Sequence, residues 1–266
     1  SGGGNLNNAL NVIQASEYVY MMGDDDGIVS NALETFVNAA DESHADIVAT
    51  DGYFTAAEDD FKIPGVIKIA KTVPPQRNPR ILSEDLVDRL NSELFSFYGV
   101  LATEWAKFFR RDFLIENQIY HPKIFGIEDF FHNFACLCLA KKFRVISTEL
   151  YVYRQNSQSV MHVSAKNHVR KTVLGFAEAI RFMEDLFQKN LISPLSRENQ
   201  LVLEAYAIFY LIQQRINRYG LSTTEIDSVL EEVTRQGEAI DPDITRILIH
   251  AMHRLIKFYC YRDEEM

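Results

Sequence analysis

A five-residue apolar run, YVYMM at positions 18–22, leads within one residue into three adjacent aspartates, Asp24, Asp25 and Asp26. A continuous apolar run of this length is typical of a strand that is covered on both faces, as in a parallel sheet. Apolar residues at helical spacing precede the run, in residues 5–15, and a second helix is predicted after Ser30, over 31–42. A chain that passes from helix to strand, acidic turn and helix favours an α/β fold.

The alternation of helical and strand-like segments continues to about residue 163. We predict a strand over 45–54, a long loop over 56–82, a helix after Ser83, helices over 103–117 and 128–142, and short strands over 143–148 and 150–154. From residue 164 onward only helical spacing remains. The sequence therefore predicts two domains: a mixed sheet flanked by helices in 1–163, and an all-helical region in 164–266.

Composition and charge exclude several classes of protein. The chain has 37 acidic and 27 basic residues and a formal net charge of −10, which argues against a nucleic-acid-binding surface. No apolar run approaches the length of about 18 residues that spans a bilayer, so we predict no transmembrane segment. Three cysteines are too few for a disulfide framework, and a reducing, cytoplasmic location is the expectation.

The aspartate cluster raises an electrostatic question. Two carboxylates a few ångströms apart repel by about 4 kcal/mol at an effective dielectric constant of about 20, so the cluster requires a cation or raised pKa values. Carboxylate oxygens are the ligands that Mg²⁺ and Mn²⁺ prefer, and ligands of α/β sheets bind beyond strand ends. Aspartate and glycine are also common in solvated turns. From the triplet alone, both interpretations stay open.

Two later stretches carry further candidates, each with a plain alternative. Glu128 and Asp129 open a predicted helix, where they either stabilise the helix start or supply a catalytic base. Arg154 and His162 flank a polar loop that is either a linker or, beside a phosphate-bearing substrate, a source of positive charge and a metal ligand.

Four stretches, in this order, resemble the inverting glycosyltransferases of family 2, which have the GT-A fold. The first, residues 4–34, looks like the family's helix and strand before its aspartate-rich metal motif; some members carry this motif as LGDDD. The others are similar to its W-x-K-L-F-R-R helix, the opening of its catalytic helix and its Y-x-Y-R segment: Trp105–Leu114, Gly126–Phe130 and Leu150–Ser159. The resemblance covers about residues 4–162.

The resemblance implies a nucleotide-sugar donor whose diphosphate is bridged by Mg²⁺ or Mn²⁺ to Asp24, Asp25 and Asp26. Asp25 would be the first direct ligand of the ion. Arg154 would contact the phosphates, and His162 would complete the metal shell. Members of the family begin with a strand and loop that grip the nucleoside, so we expect an N-terminal βαβ portion to be missing from this chain, which would leave it inactive.

On the acceptor side, the resemblance implies that Asp129 is the general base and that Glu128 supports the helix start. Trp105 would line the acceptor site. The predicted activity is inverting transfer of a hexosyl-type sugar to a saccharide or lipid-linked acceptor in bacterial surface-polysaccharide or lipopolysaccharide assembly.

The helical region 164–266 has no match among these motifs. It would supply a homodimer contact or a peripheral association with the inner face of the membrane. The alternative to an enzyme is a catalytically inactive GT-A-like domain that serves as an interaction module.

Overall fold

The computed structural model describes four main stretches, residues 2–13, 15–57, 103–122 and 128–155. It also describes a few shorter pieces and single positions: 69, 71–73, 79–86, 89, 182, 185, 186, 224, 228, 231 and 235. The chain divides into two compact units, Ser1–His121 with Asp129–Val163, and Pro122–Glu128 with Ser164–Met266. The elements below belong to the first unit, with Glu128 at its boundary.

The first unit alternates helices and strands around one mixed sheet. The elements are α1 (Gly2–Val12), β1 (Tyr18–Tyr20), β2 (Gly27–Ile28), α2 (Ala32–Ser43), β3 (Ile47–Ala57), β4 (Lys71–Val73), β5 (Arg80–Ile81), β6 (Lys107–Arg110), α3 (Arg111–Glu116), α4 (Glu128–Leu139) and β7 (Phe143–Gln155). The seven strands lie in the order β1-β6-β3-β7-β2, with β4 on β3 and β5 on β7. This arrangement confirms the predicted mixed α/β class.

The sheet is built around β3 and β7, which pair in parallel along most of their length. The other strand pairs are antiparallel. Ile47 and Val48 of β3 are fully buried, as a strand covered on both faces requires. On one face α2 packs against the sheet, where the Phe36 ring stacks on Phe108 with centroids 5.3 Å apart. The Tyr20 ring of β1, the strand that leads to the acidic turn, also packs on Phe36, with ring centroids 5.3 Å apart.

A buried aspartate at one end of the sheet contacts two other segments of the chain. Asp46 lies just before β3, and its Oδ2 accepts the backbone N–H groups of Lys141 at 2.8 Å and Lys142 at 3.2 Å. Its Oδ1 pairs with the Arg110 guanidinium at the end of β6. The carboxylate therefore holds β3, β6 and the turn before β7 in register.

Two predicted elements differ in the structure. The apolar run at 18–22 is not part of a parallel pair, because β1 pairs antiparallel with β6. The helix predicted over 103–117 is wrong in its first half, since Lys107–Arg110 is a strand and only Arg111–Glu116 is helical. Phe108 and Phe109 are both buried on opposite faces of the sheet, and pairing of β6 with β1 and β3 overrides the helical spacing.

Other boundaries also shift. The segment 56–82, predicted as loop, contains β4 and β5. The two strands predicted over 143–148 and 150–154 form one strand, since a register shift opposite Gly52 absorbs the break between them. The helix predicted after Ser83 and the helical region 164–266 lie almost wholly outside the described residues. No helix in the described part of the chain is long and apolar enough to cross a membrane.

Candidate functional site

The three aspartates form a tight turn between β1 and β2. The Asp26 backbone N–H donates to the Gly23 carbonyl at 3.4 Å, which closes a four-residue turn. Asp24 and Asp25 at its centre are exposed, whereas Asp26 is half-buried. Three aspartates flanked by glycines at positions 23 and 27 favour such a turn, because Asp and Gly adopt turn conformations at low cost.

Two carboxylates converge beside Gly23. A Cβ atom at this position would lie 2.6 Å from Asp26 Oδ2 and 3.3 Å from Asp25 Oδ1. The missing side chain therefore leaves a small cradle that carboxylate oxygens approach from two residues. Hard oxygen donors at such a point fit a divalent ion such as Mg²⁺ or Mn²⁺.

The third aspartate is anchored to β7. The Tyr151 hydroxyl donates a short hydrogen bond to Asp26 Oδ2, and the Arg154 backbone N–H donates to Oδ1 at 2.8 Å. The Gly23 N–H in turn donates to the Tyr151 hydroxyl oxygen at 3.2 Å. Asp26 is thereby oriented from a strand that lies 125 residues away in the sequence.

The electrostatics of Asp26 follow from its position. Burial raises its pKa, as does the neighbouring charge of Asp25. The hydrogen bonds from Tyr151 and Arg154, and the Arg154 charge, act in the opposite direction without cancelling the rise. Burial also raises the pKa of Tyr151, which stays a proton donor to the carboxylate. A cation beside Asp25 and Asp26 would relieve the cost of keeping both carboxylates ionised.

Trp105 lies next to this anchored aspartate. Its ring stacks on Tyr151 with centroids 4.4 Å apart and an interplanar angle of 15°, and Tyr53 meets its edge at 5.2 Å. The Tyr20 hydroxyl donates to the Trp105 carbonyl at 2.7 Å, which holds the turn before β6 against β1. The structure thus brings Asp26 and Trp105 together through Tyr151, which contacts both.

Sequence reasoning missed Tyr151, the residue that joins these groups. The Tyr-Val-Tyr-Arg stretch carried a usable signal, because alternation along a strand puts Tyr151 and Tyr153 on the same face. The ring centroids of Tyr153 and Trp105 are 6.3 Å apart, in agreement with that placement.

Glu128 and Asp129 occupy the first turn of α4, the predicted position, and both are partly buried. The helix dipole favours negative charge at this end. Their roles stay predictions. His162 lies outside the described residues.

A second polar cluster, which sequence reasoning missed, is buried in the same unit. Glu104, His121 and His132 place one ligand atom each within 4.8 Å of one another, and among the described residues they are the group of three such side chains that could hold a metal ion. The three aspartates of the acidic turn do not converge in this way. Glu104 Oε1 lies 2.5 Å from His121 Nε2 and 3.0 Å from His132 Nδ1. These are hydrogen-bond distances, shorter than the roughly 3.3 Å between ligand atoms that follows from tetrahedral bonds of about 2.0–2.1 Å.

Comparison with known proteins gives matches by structure alone. No protein-family model and no curated protein sequence matches the chain. S. aureus TarS 1–349 in complex with UDP-GlcNAc matches with a TM-score of 0.60 at 15% identity, over 97% of this chain and 71% of that chain. The same protein in complex with UDP matches with a TM-score of 0.58 at 16% identity, over 93% of this chain and 65% of that chain.

A further structure of S. aureus TarS 1–349 matches with a TM-score of 0.52 at 16% identity, over 96% of this chain and 71% of that chain. This chain spans about two thirds of the length of the TarS chains that it matches. At these identities the likeness shows the fold, which this protein shares with S. aureus TarS 1–349.

Proposed function

We propose that the protein is a metal-dependent, inverting glycosyltransferase that moves a sugar from a UDP-sugar to an acceptor hydroxyl. The observation that carries this proposal is the acidic turn, in which Asp25 and Asp26 oxygens converge beside Gly23 on a fold shared with UDP-binding TarS. The resemblance of the sequence motifs to family 2 supports the same reaction class.

The donor site would form around the acidic turn. Asp24 and Asp25, which are exposed, would hold Mg²⁺ or Mn²⁺ together with Asp26, whose carboxylate is oriented by Tyr151. The bound ion would neutralise charge on the departing diphosphate. Arg154 would add positive charge on the same side, since its guanidinium already interacts favourably with Asp26.

The acceptor would be activated from the start of α4. Asp129 would take the proton from the acceptor hydroxyl, whose oxygen attacks the anomeric carbon as the bond from that carbon to the diphosphate oxygen breaks. Attack opposite the leaving group inverts the anomeric centre. Glu128 would stabilise the helix start, and Trp105, stacked beside the donor side, would line the acceptor site.

The wider setting belongs to the same proposal. A saccharide or lipid-linked acceptor in bacterial surface-polysaccharide or lipopolysaccharide assembly would place the protein in the cytoplasm, at the inner face of the membrane. Residues 164–266 would provide a homodimer contact or the membrane-facing surface.

Donor binding is tested on the full chain by thermal unfolding with Mn²⁺ and UDP, separately and together. We expect the combination to raise the melting temperature by mass action, and the Asp25→Ala variant to lose that rise. Glu42→Ala, which removes an exposed carboxylate from α2, is the matched control and should behave as the parent protein. If Mn²⁺ and UDP do not stabilise the parent protein, the interaction-module alternative replaces the enzyme.

Turnover is tested by the release of UDP from UDP-GlcNAc and other UDP-hexoses. Asp129→Asn should bind UDP and Mn²⁺ like the parent protein but release UDP at least about 100-fold more slowly, because general-base catalysis contributes about 10²–10⁴-fold. Unchanged release by Asp129→Asn would mean that another group is the base.

A further inference from the structure

The buried cluster of Glu104, His121 and His132 has a determinate pattern of donors and acceptors. Its orientation is set from α1 by Asn7, whose Nδ2 donates to the His121 carbonyl at 3.0 Å and whose Oδ1 accepts the His121 backbone N–H at 2.8 Å. The same Oδ1 lies 3.2 Å from His121 Nδ1. The amide cannot be flipped without losing both backbone bonds, so an acceptor oxygen faces this ring nitrogen.

Both ring nitrogens of His121 therefore face acceptors. Nδ1 faces the Asn7 oxygen, and Nε2 lies 2.5 Å from Glu104 Oε1. Burial alone would raise the pKa of Glu104, but hydrogen bonds from His121 and His132 outweigh it and hold the pKa at about 2. An ionised carboxylate only accepts hydrogen bonds, so the nitrogen of His121 that faces it, Nε2, is the donor. Glu104 and His121 form a buried hydrogen-bonded pair.

His132 completes the pattern as a neutral ring. Its Nδ1 lies 3.0 Å from Glu104 Oε1 and donates to it, while Nε2 has no hydrogen-bond partner among the described residues. A second proton, on Nε2, would be a buried donor without an acceptor among the described residues, which is unfavourable. Burial lowers the pKa of His132, which agrees with the neutral form.

Two more side chains face this cluster, one from β6 and one from α4. Lys107 of β6 is buried and donates from Nζ to the Thr103 carbonyl. Cys136 of α4 places its Sγ 3.9 Å from His132 Nδ1, and burial raises the pKa of its thiol, so it contributes no charge. The cluster is thus held by one carboxylate, Glu104, which accepts from two separate segments of the chain.

We propose that Glu104 is a positioning residue for the transfer reaction: its carboxylate, shared between the His121 and His132 rings, fixes α4 relative to the turn that carries Trp105. Glu104 is the residue before Trp105. His132 follows Asp129 by three residues on α4, so the two side chains are neighbours on the same side of the helix. A shift of α4 would move Asp129 relative to the acidic turn. This positioning role rests on the proposed function.

The proton arrangement is tested without any substrate, by nitrogen NMR of the full chain labelled in its histidine rings. We expect a proton on His121 Nε2 and on His132 Nδ1, the two nitrogens that face Glu104, with each ring assigned by its own substitution to Gln. Glu104→Gln should shift the signals of both nitrogens, and Glu42→Gln should shift neither. A bare His121 Nε2 or His132 Nδ1 in the parent protein, or a stoichiometric metal ion on these nitrogens, would overturn the shared carboxylate.

The positioning role is tested by separating binding from turnover. Glu104→Gln, measured well below its melting temperature, should bind UDP with Mn²⁺ within about twofold of the parent protein and release UDP from UDP-GlcNAc up to about 100-fold more slowly. Unchanged turnover would overturn the role, as would an equal loss of UDP binding. A parent protein that neither binds UDP nor turns over a donor refutes the proposed function and the positioning role together, while the histidine spectra still decide the hydrogen bonds at Glu104.

Discussion

Replacing Tyr151 with Phe removes a single oxygen atom from the centre of the candidate donor site. The phenyl ring would keep the stacking on Trp105, whose centroid is 4.4 Å away, because ring position does not depend on the hydroxyl. What is lost is the short hydrogen bond to Asp26 and the acceptor for the Gly23 N–H. Tyr151→Phe therefore isolates the link between β7 and the acidic turn.

The magnitude follows from the charge on the acceptor. A hydrogen bond to an ionised group contributes about 1.5–3 kcal/mol, and a neutral one about 0.5–1.5 kcal/mol. Asp26 is half-buried, so water replaces part of the lost bond, and we expect a decrease of about 1.5 kcal/mol in the free energy of unfolding at pH 7. Tyr20→Phe is the matched control, because the Tyr20 hydroxyl donates to the neutral Trp105 carbonyl.

The loss of stability in Tyr151→Phe should depend on pH, because the hydrogen bond is made to an ionisable carboxylate. The Tyr151 bond favours the ionised form of Asp26, so its contribution is complete above the raised folded-state pKa and declines as the pH falls through it. Urea unfolding at several pH values from 7 to 4 should show a Tyr151→Phe deficit that shrinks on acidification, beside a Tyr20→Phe deficit that is constant. Equal deficits for Tyr151→Phe at pH 7 and pH 4 would refute the assignment of a charge-assisted bond.

Two further predictions concern carboxylates with opposite roles. Because folding raises the pKa of Asp26, its stabilising contribution is present at low pH and lost as the pH rises. At pH 7 the metal-free Asp26→Asn variant should therefore melt at the same temperature as the metal-free parent protein or higher. A clear decrease in melting temperature would contradict this. Asp46→Ala should lower the free energy of unfolding by about 3 kcal/mol, since it removes the acceptor of two backbone N–H groups and of the Arg110 guanidinium. A loss below about 1 kcal/mol in urea unfolding would show that water replaces these bonds.

Local pattern was sufficient for the elements whose apolar residues repeat with one clear period. α2 and α4 follow helical spacing, and β3 follows a β-rich run, so each lies within a few residues of its predicted bounds. The strand Lys107–Arg110 was predicted as helix because its two phenylalanines suit either structure over so short a stretch. Pairing with β1 on one side and β3 on the other decided the outcome, and such contacts are not visible in a local window.

The sequence by itself determined that three aspartates follow a short strand, that two carboxylates open a later helix, and that the chain alternates helix and strand. These are properties of neighbouring residues, and they depend on short-range spacing and turn chemistry. Only the tertiary structure decided which of the aspartates is anchored, because its partner Tyr151 is 125 residues away. The same holds for Glu104, whose buried charge is tolerable only where two histidines from distant segments supply donors.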